Sequence, residues 1–265
     1  MRLEGKTAVI SGGGTGIGAA IARRYAVEGA RIVVTGRRPE PIGAVAAEVD
    51  GTAIAGDTAD PRHATEAVDA AVDAYGGLDI VVANAGVGFG GSLEEVSDEH
   101  WRATLETNLT GAMMLSRAAI PHLRARGGGA VVLVASVSGL RASPASAAYE
   151  ASKAGLIAVA RSIAVDHGAE GIRANALCPG WVRTAMADDE MDDLAARDGV
   201  DRETAYGRAL AATPLRRPAT PEEIAACALF LASDDASFVS GTTLVADGGA
   251  LAVDPGGLAF WPEER

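Results

Sequence analysis

Tyr149 and Lys153, in the run Tyr-Glu-Ala-Ser-Lys, stand four positions apart and so share one face of a helix. A tyrosine free in water has a pKa near ~10 and is a poor base at neutral pH. An ammonium ~4 Å away at an effective dielectric of ~20 favours the phenolate by roughly 4 kcal/mol. At ~1.36 kcal/mol per unit that is about three pKa units, and partial burial opposes it. The spacing can therefore supply a proton donor and acceptor poised near physiological pH. Ser136 ends an apolar run thirteen positions before Tyr149, and its hydroxyl can hydrogen-bond a reacting oxygen. Ser138 is the nearby alternative. No His–Asp pattern supports a hydrolytic serine nucleophile. Taken singly, each residue is equally well an ordinary surface or strand-end side chain.

A second chemical feature is Ser-Gly-Gly-Gly-Thr-Gly-Ile-Gly, residues 11–18, with five glycines in eight positions. It lies between an apolar run, Thr7–Ile10, and the helical pattern that follows. A helix N-terminus presents unpaired N–H groups and partial positive charge, and small residues let a pyrophosphate approach it. A tight turn is the alternative reading of the glycines alone; the strand-turn-helix context favours a nucleotide.

The elements that must position these residues alternate along the chain. Strands are expected at Thr7–Ile10, Arg31–Thr35, Thr52–Ala55, Ile80–Ala83, Ala130–Ala135, Ile172–Leu177 and Thr243–Ala246. Several are nearly continuous Val, Ile and Ala, as in strands buried on both faces. Helices are expected at about 17–28, 39–49, 61–75, 98–125, 147–167 and 221–232, with caps at Ser97 and Thr220. The alternation implies an α/β fold, a seven-stranded parallel sheet in a three-layer Rossmann-type sandwich. With 265 residues and 48% hydrophobic content there is material for a large core, and nothing splits residues 1–265 into two domains. Arg183 to Pro218 breaks the rhythm and reads as a substrate lid.

Composition narrows the partners. The net charge of −12 disfavours nucleic acid and anionic membranes. No apolar run reaches the ~18 residues of a membrane span, and no signal-peptide core opens the chain, so a cytoplasmic protein is expected. Cys178 and Cys227 read as small buried thiols. His63, His100, His122 and His167 are scattered, each in or beside a helix surface, and no metal site is expected.

In order along the chain, these motifs resemble the short-chain dehydrogenase/reductase family. Residues 11–18 resemble its T-G-x-x-x-G-I-G, with Ser11 in place of Thr and Gly12, Gly16 and Gly18 in register. Asp57 follows the third strand, Ala83-Asn84-Ala85-Gly86 is similar to N-N-A-G, and Asn108 matches the family's helix Asn. Tyr149 to Lys153 matches Y-x-x-x-K, Pro179 to Thr184 matches P-G-x-x-x-T, and Asp247-Gly248-Gly249 follows the last strand. The resemblance implies hydride transfer between a nicotinamide and a ketone or secondary alcohol. Its catalytic set is Ser136, Tyr149, Lys153 and Asn108, with Asn108 holding a water that relays protons through Lys153. It implies cofactor contacts from Gly12, Thr15, Gly16, Ile17, Gly18, Asp57, Asn84, Ala85, Gly86, Tyr149, Lys153, Pro179, Gly180, Val182 and Thr184.

At the end of the second strand, Gly36 stands where an acid would bind the ribose of NAD, and Arg37 and Arg38 follow. Arginine can hold a 2′-phosphate bidentately, which favours NADP; Thr15, at an often basic position, leaves NAD possible. Phe89, Ser138, Leu140, Trp181, Met186, Met191 and Tyr206 are candidate substrate walls and suggest a hydrophobic substrate body. Glu170, where relatives acting on acyl-carrier proteins commonly carry Arg, disfavours a 3-ketoacyl-carrier-protein reductase. An inactive nucleotide-binding scaffold and an epimerase or dehydratase are the other classes. Small residues along 147–167 and the family habit imply a homo-oligomer, tetramer or dimer, with Phe260 and Trp261 at or near an interface.

Overall fold

Residue alternation along the strands sorts the core into two layers. In the computed structural model, which describes residues 1–260, the strands are β1 (Thr7–Ser11), β2 (Arg31–Gly36), β3 (Thr52–Ala55), β4 (Ile80–Ala83), β5 (Gly129–Val134), β6 (Ile172–Pro179) and β7 (Thr243–Ala246). They form one parallel sheet in the order β3-β2-β1-β4-β5-β6-β7. Ala8, Ile10, Ile32, Val34, Val82 and Val132 face α1 (Gly16–Val27), α2 (Pro39–Glu48) and α9 (Pro221–Ala232). Val9, Val33, Val81, Val131 and Ala174 face α3 (Pro61–Tyr75), α5 (Gly111–Ala125) and α6 (Ala147–His167). Because successive side chains point to opposite faces, the continuous apolar runs feed both layers. This is the expected three-layer architecture, with each expected strand present.

The direction of winding reverses between β1 and β4, which makes the crevice outside their C-terminal ends the place for a ligand. The Ser11 hydroxyl ties that point together by accepting from the backbone N–H of Asn84 at 3.0 Å and of Ala85 at 3.1 Å. Asn84 returns its side-chain amide to the carbonyls of Ser11 and Gly12.

Helix starts follow the sequence. Ser97 caps α4 (Asp98–Leu105) by accepting from His100 N–H, and Thr220 with Glu223 closes a capping box on α9. The helix expected over 98–125 is divided. A π turn, Glu106–Thr110, joins α4 to α5 and carries Asn108. The region expected to form a lid is more ordered than its sequence suggests: α7 (Ala185–Asp198) and α8 (Arg202–Ala209) pack on each other around Ala187, Met191, Ala195, Ala205 and Tyr206. His63 corrects the expectation of a surface position. It is buried at the start of α3, where its Nε2 pairs with the Thr35 hydroxyl. Cys178 is buried as expected, whereas Cys227 is only partly so.

Tyr25 joins α1 to α9: fully buried, it donates its hydroxyl to the Ala228 carbonyl at 2.8 Å. Tyr25→Phe removes this bond without changing the ring. The expected result is a loss of about 1 kcal/mol, read by denaturant unfolding as a lower midpoint with an unchanged slope.

Candidate active site

Three elements converge at the C-terminal edge of the sheet. Ser136 follows β5, is buried, and accepts from Ser138 N–H at 3.1 Å. That bond fixes the oxygen and leaves the hydroxyl proton to donate. Tyr149 and Lys153 come from the first turns of α6, and the Lys153 ammonium lies 5.4 Å from the centre of the Tyr149 ring. Ser136 acts on the Tyr149 phenol as a hydrogen-bond partner. Lys153 is 4% exposed and donates to the Val134 carbonyl at 2.9 Å.

The electrostatics correct the simple pair picture. Burial pushes the Tyr149 phenol up to about 12, with Ser136 opposing the rise. Burial likewise brings Lys153 down to about 8. In the chain alone, desolvation outweighs the attraction expected between phenolate and ammonium, because both groups are buried. Cys178, at the end of β6, is a neighbour that the sequence did not point to. Burial pushes its thiol up to about 11, while the Ser136 N–H and the Lys153 charge oppose.

Asn108 is buried in the π turn with its side-chain amide committed. Its Oδ1 accepts from Val87 N–H at 2.8 Å, and its Nδ2 donates to the Val87 carbonyl and the Ser152 hydroxyl. A Cβ placed on Gly86 would lie 3.4 Å from Asn108 Oδ1 and 3.6 Å from Lys153 Nζ. Gly86, Asn108 and Lys153 therefore border one space. The π turn, a bulge common at functional sites, gave no sign of itself in the helical sequence pattern.

The glycine turn fits a pyrophosphate. Thr15 at the start of α1 makes no side-chain cap, and the first turn holds no acid, so the N–H groups there lack an internal anion. The starts of α3, α4, α7, α8 and α9 all carry a capping oxygen. Gly12 and Gly16 have φ of 64° and 53°. A Cβ on Gly18 would sit 2.2 Å from the Gly12 carbonyl, so this glycine serves the turn's own packing. Thr184 covers the turn, its methyl 3.2 Å from a Cβ built on Gly16, while its hydroxyl caps α7. Val182 is buried next to it and Ile17 is partly buried. Gly180 passes against Asp247, where a Cβ would approach to 2.9 Å, and Pro179 ends β6 beside it. Arg37 and Arg38 are exposed after β2 and make no ion pair among the described residues; Asp57 accepts from Ala59 N–H. These residues can hold a dinucleotide along the crevice.

The comparisons agree with this geometry. Residues 12–250 match the family model described as enoyl-(acyl carrier protein) reductase. Protein MoaE of Klebsiella aerogenes is 43% identical over 96% of this chain and 99% of its own. Meso-2,3-butanediol dehydrogenase of Serratia marcescens is 38% identical, covering 96% and 98%. A solved chain from Sinorhizobium meliloti 1021, described provisionally as a short-chain alcohol dehydrogenase, superposes with a TM-score of 0.88 at 34% identity, covering 96% and 99%. The chain belongs to the short-chain dehydrogenase/reductase family. It is thus an oxidoreductase that moves hydride between a nicotinamide cofactor and an alcohol or ketone carbon. Among the described residues no group of His, Cys, Asp or Glu could hold a metal ion, and no helix is long and apolar enough to cross a membrane.

The expected substrate walls divide. Leu140 and Met186 are exposed apolar side chains. Tyr206 and Met191 are not walls of an open pocket: both are buried in the packing between α7 and α8. The Tyr206 hydroxyl donates to Asp188 at 2.9 Å, and the Arg183 guanidinium covers its ring at 4.1 Å. Trp181 lines a separate hollow of about 640 Å³ with Leu210, Ile224 and Leu251, and that hollow touches none of Ser136, Tyr149 and Lys153. Phe89 stacks on His100.

The buried lysine makes a stability prediction. Its pKa lies below the ordinary value, so below about pH 8 both folded and unfolded chains are protonated and the folded chain bears the cost of a buried charge. Between about 8 and 10.5 the folded chain sheds the proton first, and wild-type stability gains with rising pH. Lys153→Met is therefore expected to be more stable than wild type at pH 7, by up to about 3 kcal/mol, less the cost of an unpaired Val134 carbonyl. The difference should shrink through that pH window, as measured by denaturant unfolding.

Proposed function

We propose that Tyr149, Ser136, Lys153 and Asn108 catalyse the reaction, with Arg37 selecting NADP and NAD as the poorer cofactor. The observation that carries this reading is the meeting of Ser136, Tyr149 and Lys153 beside the uncapped start of α1. A bound nicotinamide supplies the hydride acceptor or donor. Ser136 donates to the substrate oxygen and stabilises developing charge there. Tyr149 gives its phenolic proton to that oxygen in reduction and takes it back in oxidation. Lys153 bonds the nicotinamide ribose and passes protons to solvent through a water at Asn108. Both Asn108 amide N–H groups are already donated, and the backbone of the π turn is the site assigned to the water in this reading. Gly12, Thr15, Gly16, Ile17 and Gly18 hold the pyrophosphate, and Asn84, Ala85 and Gly86 line the crevice. Asp57 lies at the adenine, and Pro179, Gly180, Val182 and Thr184 lie at the carboxamide. Residues 183–218 act as the substrate lid of a single catalytic domain.

The free guanidiniums of Arg37 and Arg38, next to a Gly36 that adds no acid, support NADP. The substrate is a small ketone or secondary alcohol. An acyl-carrier substrate is disfavoured: Glu170 remains a carboxylate, held by Arg124 at 2.9 Å and His167 at 3.1 Å, on a chain of net charge −12. Exposed Ala151, Ala154, Ala158 and Val165 on α6 leave a small apolar stripe, and Val245 on the edge strand β7 is also exposed. These faces support a homo-oligomer, tetramer or dimer. Phe260 is 88% exposed in the single chain, and Trp261 lies outside the described residues. Two free cysteines fit a reducing, cytoplasmic setting.

Steady-state kinetics with ketones and alcohols test the reading. Tyr149→Phe is expected to lower turnover by roughly 100-fold or more while cofactor still binds, as followed by nicotinamide absorbance and calorimetry. Equal rates in the variant and wild type would remove Tyr149 from the mechanism. Arg37→Ala should raise KM for NADP by about tenfold and leave that for NAD little changed, the loss of one charge-assisted phosphate contact. Light scattering at micromolar concentration should show an oligomer, and a monomer would overturn the interface.

A further inference from the structure

His63 occupies a position that the helix pattern gives to an apolar side chain. Ala64, Ala67, Val68 and Ala71 form the buried stripe of α3, and His63, third in the first turn, heads the same stripe at 5% exposure. Burial lowers its pKa in spite of Asp57, Asp60 and Glu66 nearby, so the ring is neutral at pH 7. Its Nε2 pairs with the Thr35 hydroxyl, and its Nδ1 has no partner among the described residues. A buried polar group left unpartnered costs free energy, and an apolar residue would fill the same space without that cost. What the imidazole adds is its bond to Thr35.

That bond lies at the C-terminal end of the sheet. Thr35 is the next-to-last residue of β2 and is itself buried; its carbonyl accepts from Gly13 N–H of the glycine turn at 3.2 Å. The Nδ1 edge of the imidazole presses on Gly56 at the exit of β3, where a Cβ would come within 2.1 Å of Nδ1. Gly56 N–H donates to the Gly36 carbonyl at 3.1 Å, and the residues that follow these two glycines are Asp57 and Arg37. Asp57 opens a turn, its carboxylate accepting from Ala59 N–H and its carbonyl from Asp60 N–H, and Asp60 caps α3. One ring thus fixes the end of β2, the exit of β3 and the start of α3 against one another.

We propose that His63 is a positioning residue for the adenosine half of the cofactor: pinned to Thr35 and pressed on Gly56, it sets the spacing of the two loops that carry Arg37 and Asp57. This rests on the reading that places Arg37 at the 2′-phosphate and Asp57 at the adenine. Both loops leave the sheet beside the ring, so losing its bond to Thr35 lets them part and weakens the grip on the adenosine. The effect is confined to binding. β2 and β3 lie three and four strands from β5 in the sheet, about 14 and 19 Å at ~4.8 Å per strand, so Ser136 after β5 keeps its place.

The test reads binding of two cofactor fragments to the full chain by calorimetry, adenosine 2′,5′-bisphosphate and adenosine 5′-monophosphate, beside steady-state kinetics with NADP. Thr35→Val keeps the shape of the strand residue and removes only the hydroxyl. It should weaken both fragments roughly five- to tenfold, raise KM for NADP by a similar factor and leave kcat within about twofold. His63→Ala should do the same, and combining the two changes should weaken binding little further, since both remove one bond. His63→Gln, whose amide can reach Thr35 in place of Nε2, should recover most of the wild-type binding. Unchanged fragment binding in Thr35→Val, or a fall in kcat as large as the rise in KM, overturns the proposal, whether or not His63→Ala folds. If wild type holds the two fragments equally, Arg37 does not select the 2′-phosphate. Binding of adenosine 5′-monophosphate then still decides on His63: a loss in Thr35→Val upholds its role and no loss removes it.

Discussion

The buried ammonium of Lys153 is the interaction around which the site is organised. A charge at 4% exposure is retained only where the surroundings oblige it to be, and here the 21-residue helix α6 carries it under the end of β5. One carbonyl, that of Val134, holds it directly at 2.9 Å. This single bond leaves two ammonium protons free on the side of Gly86 and Tyr149, which is where a ribose hydroxyl or a water can take them. The price is a lysine weakened to about 8 and a tyrosine raised to about 12, both by desolvation. The protein alone therefore keeps the phenol protonated. Removing that proton would require positive charge gathered at the site.

The sheet makes that arrangement possible by bringing distant segments to one edge. β1 and β4 separate at their C-terminal ends, and Ser11 clasps them with one hydroxyl accepting two N–H bonds. A serine does here what the family pattern assigns to threonine, because only the oxygen is used. The same edge carries Ser136 after β5 and Cys178 at the end of β6, so these side chains and the glycine turn occupy neighbouring strand ends. The glycines divide by task. Gly12 and Gly16 adopt positive φ, whereas Gly18 stays small because the Gly12 carbonyl would otherwise meet its Cβ.

The parts of this structure legible in the sequence are those set by local rules. Strand alternation, caps at Ser97 and Thr220, and the four-residue spacing of Tyr149 and Lys153 all follow from periods of two and 3.6 residues, and each was found where expected. What escaped depended on neighbours far along the chain. The π turn at Asn108 interrupts a helix whose residues read as continuous, and Gly111 there presses against Thr58, fifty-three positions earlier. His63 belongs to an amphipathic helix that reads as surface, yet Thr35 draws it inward. In the lid, an apolar residue could serve substrate or the lid's own core, and composition does not distinguish the two. Met191 and Tyr206 went to the core because two short helices without a sheet to rest on must cover each other.

That last constraint also explains where the lid's charge goes. A two-helix insertion with little apolar area gains support from ion pairs along its seam, and Arg183, Arg202 and Arg208 bridge the two helices through Asp188, Asp192, Asp198 and Glu203. Exposed pairs of this kind contribute little each, but a network with bidentate members fixes the angle between the helices. The arrangement that stiffens the two helices thus leaves Asp189, Glu190 and Asp193 exposed on α7 with no ion pair among the described residues, so rigidity and surface charge arise from the same distribution of side chains on α7.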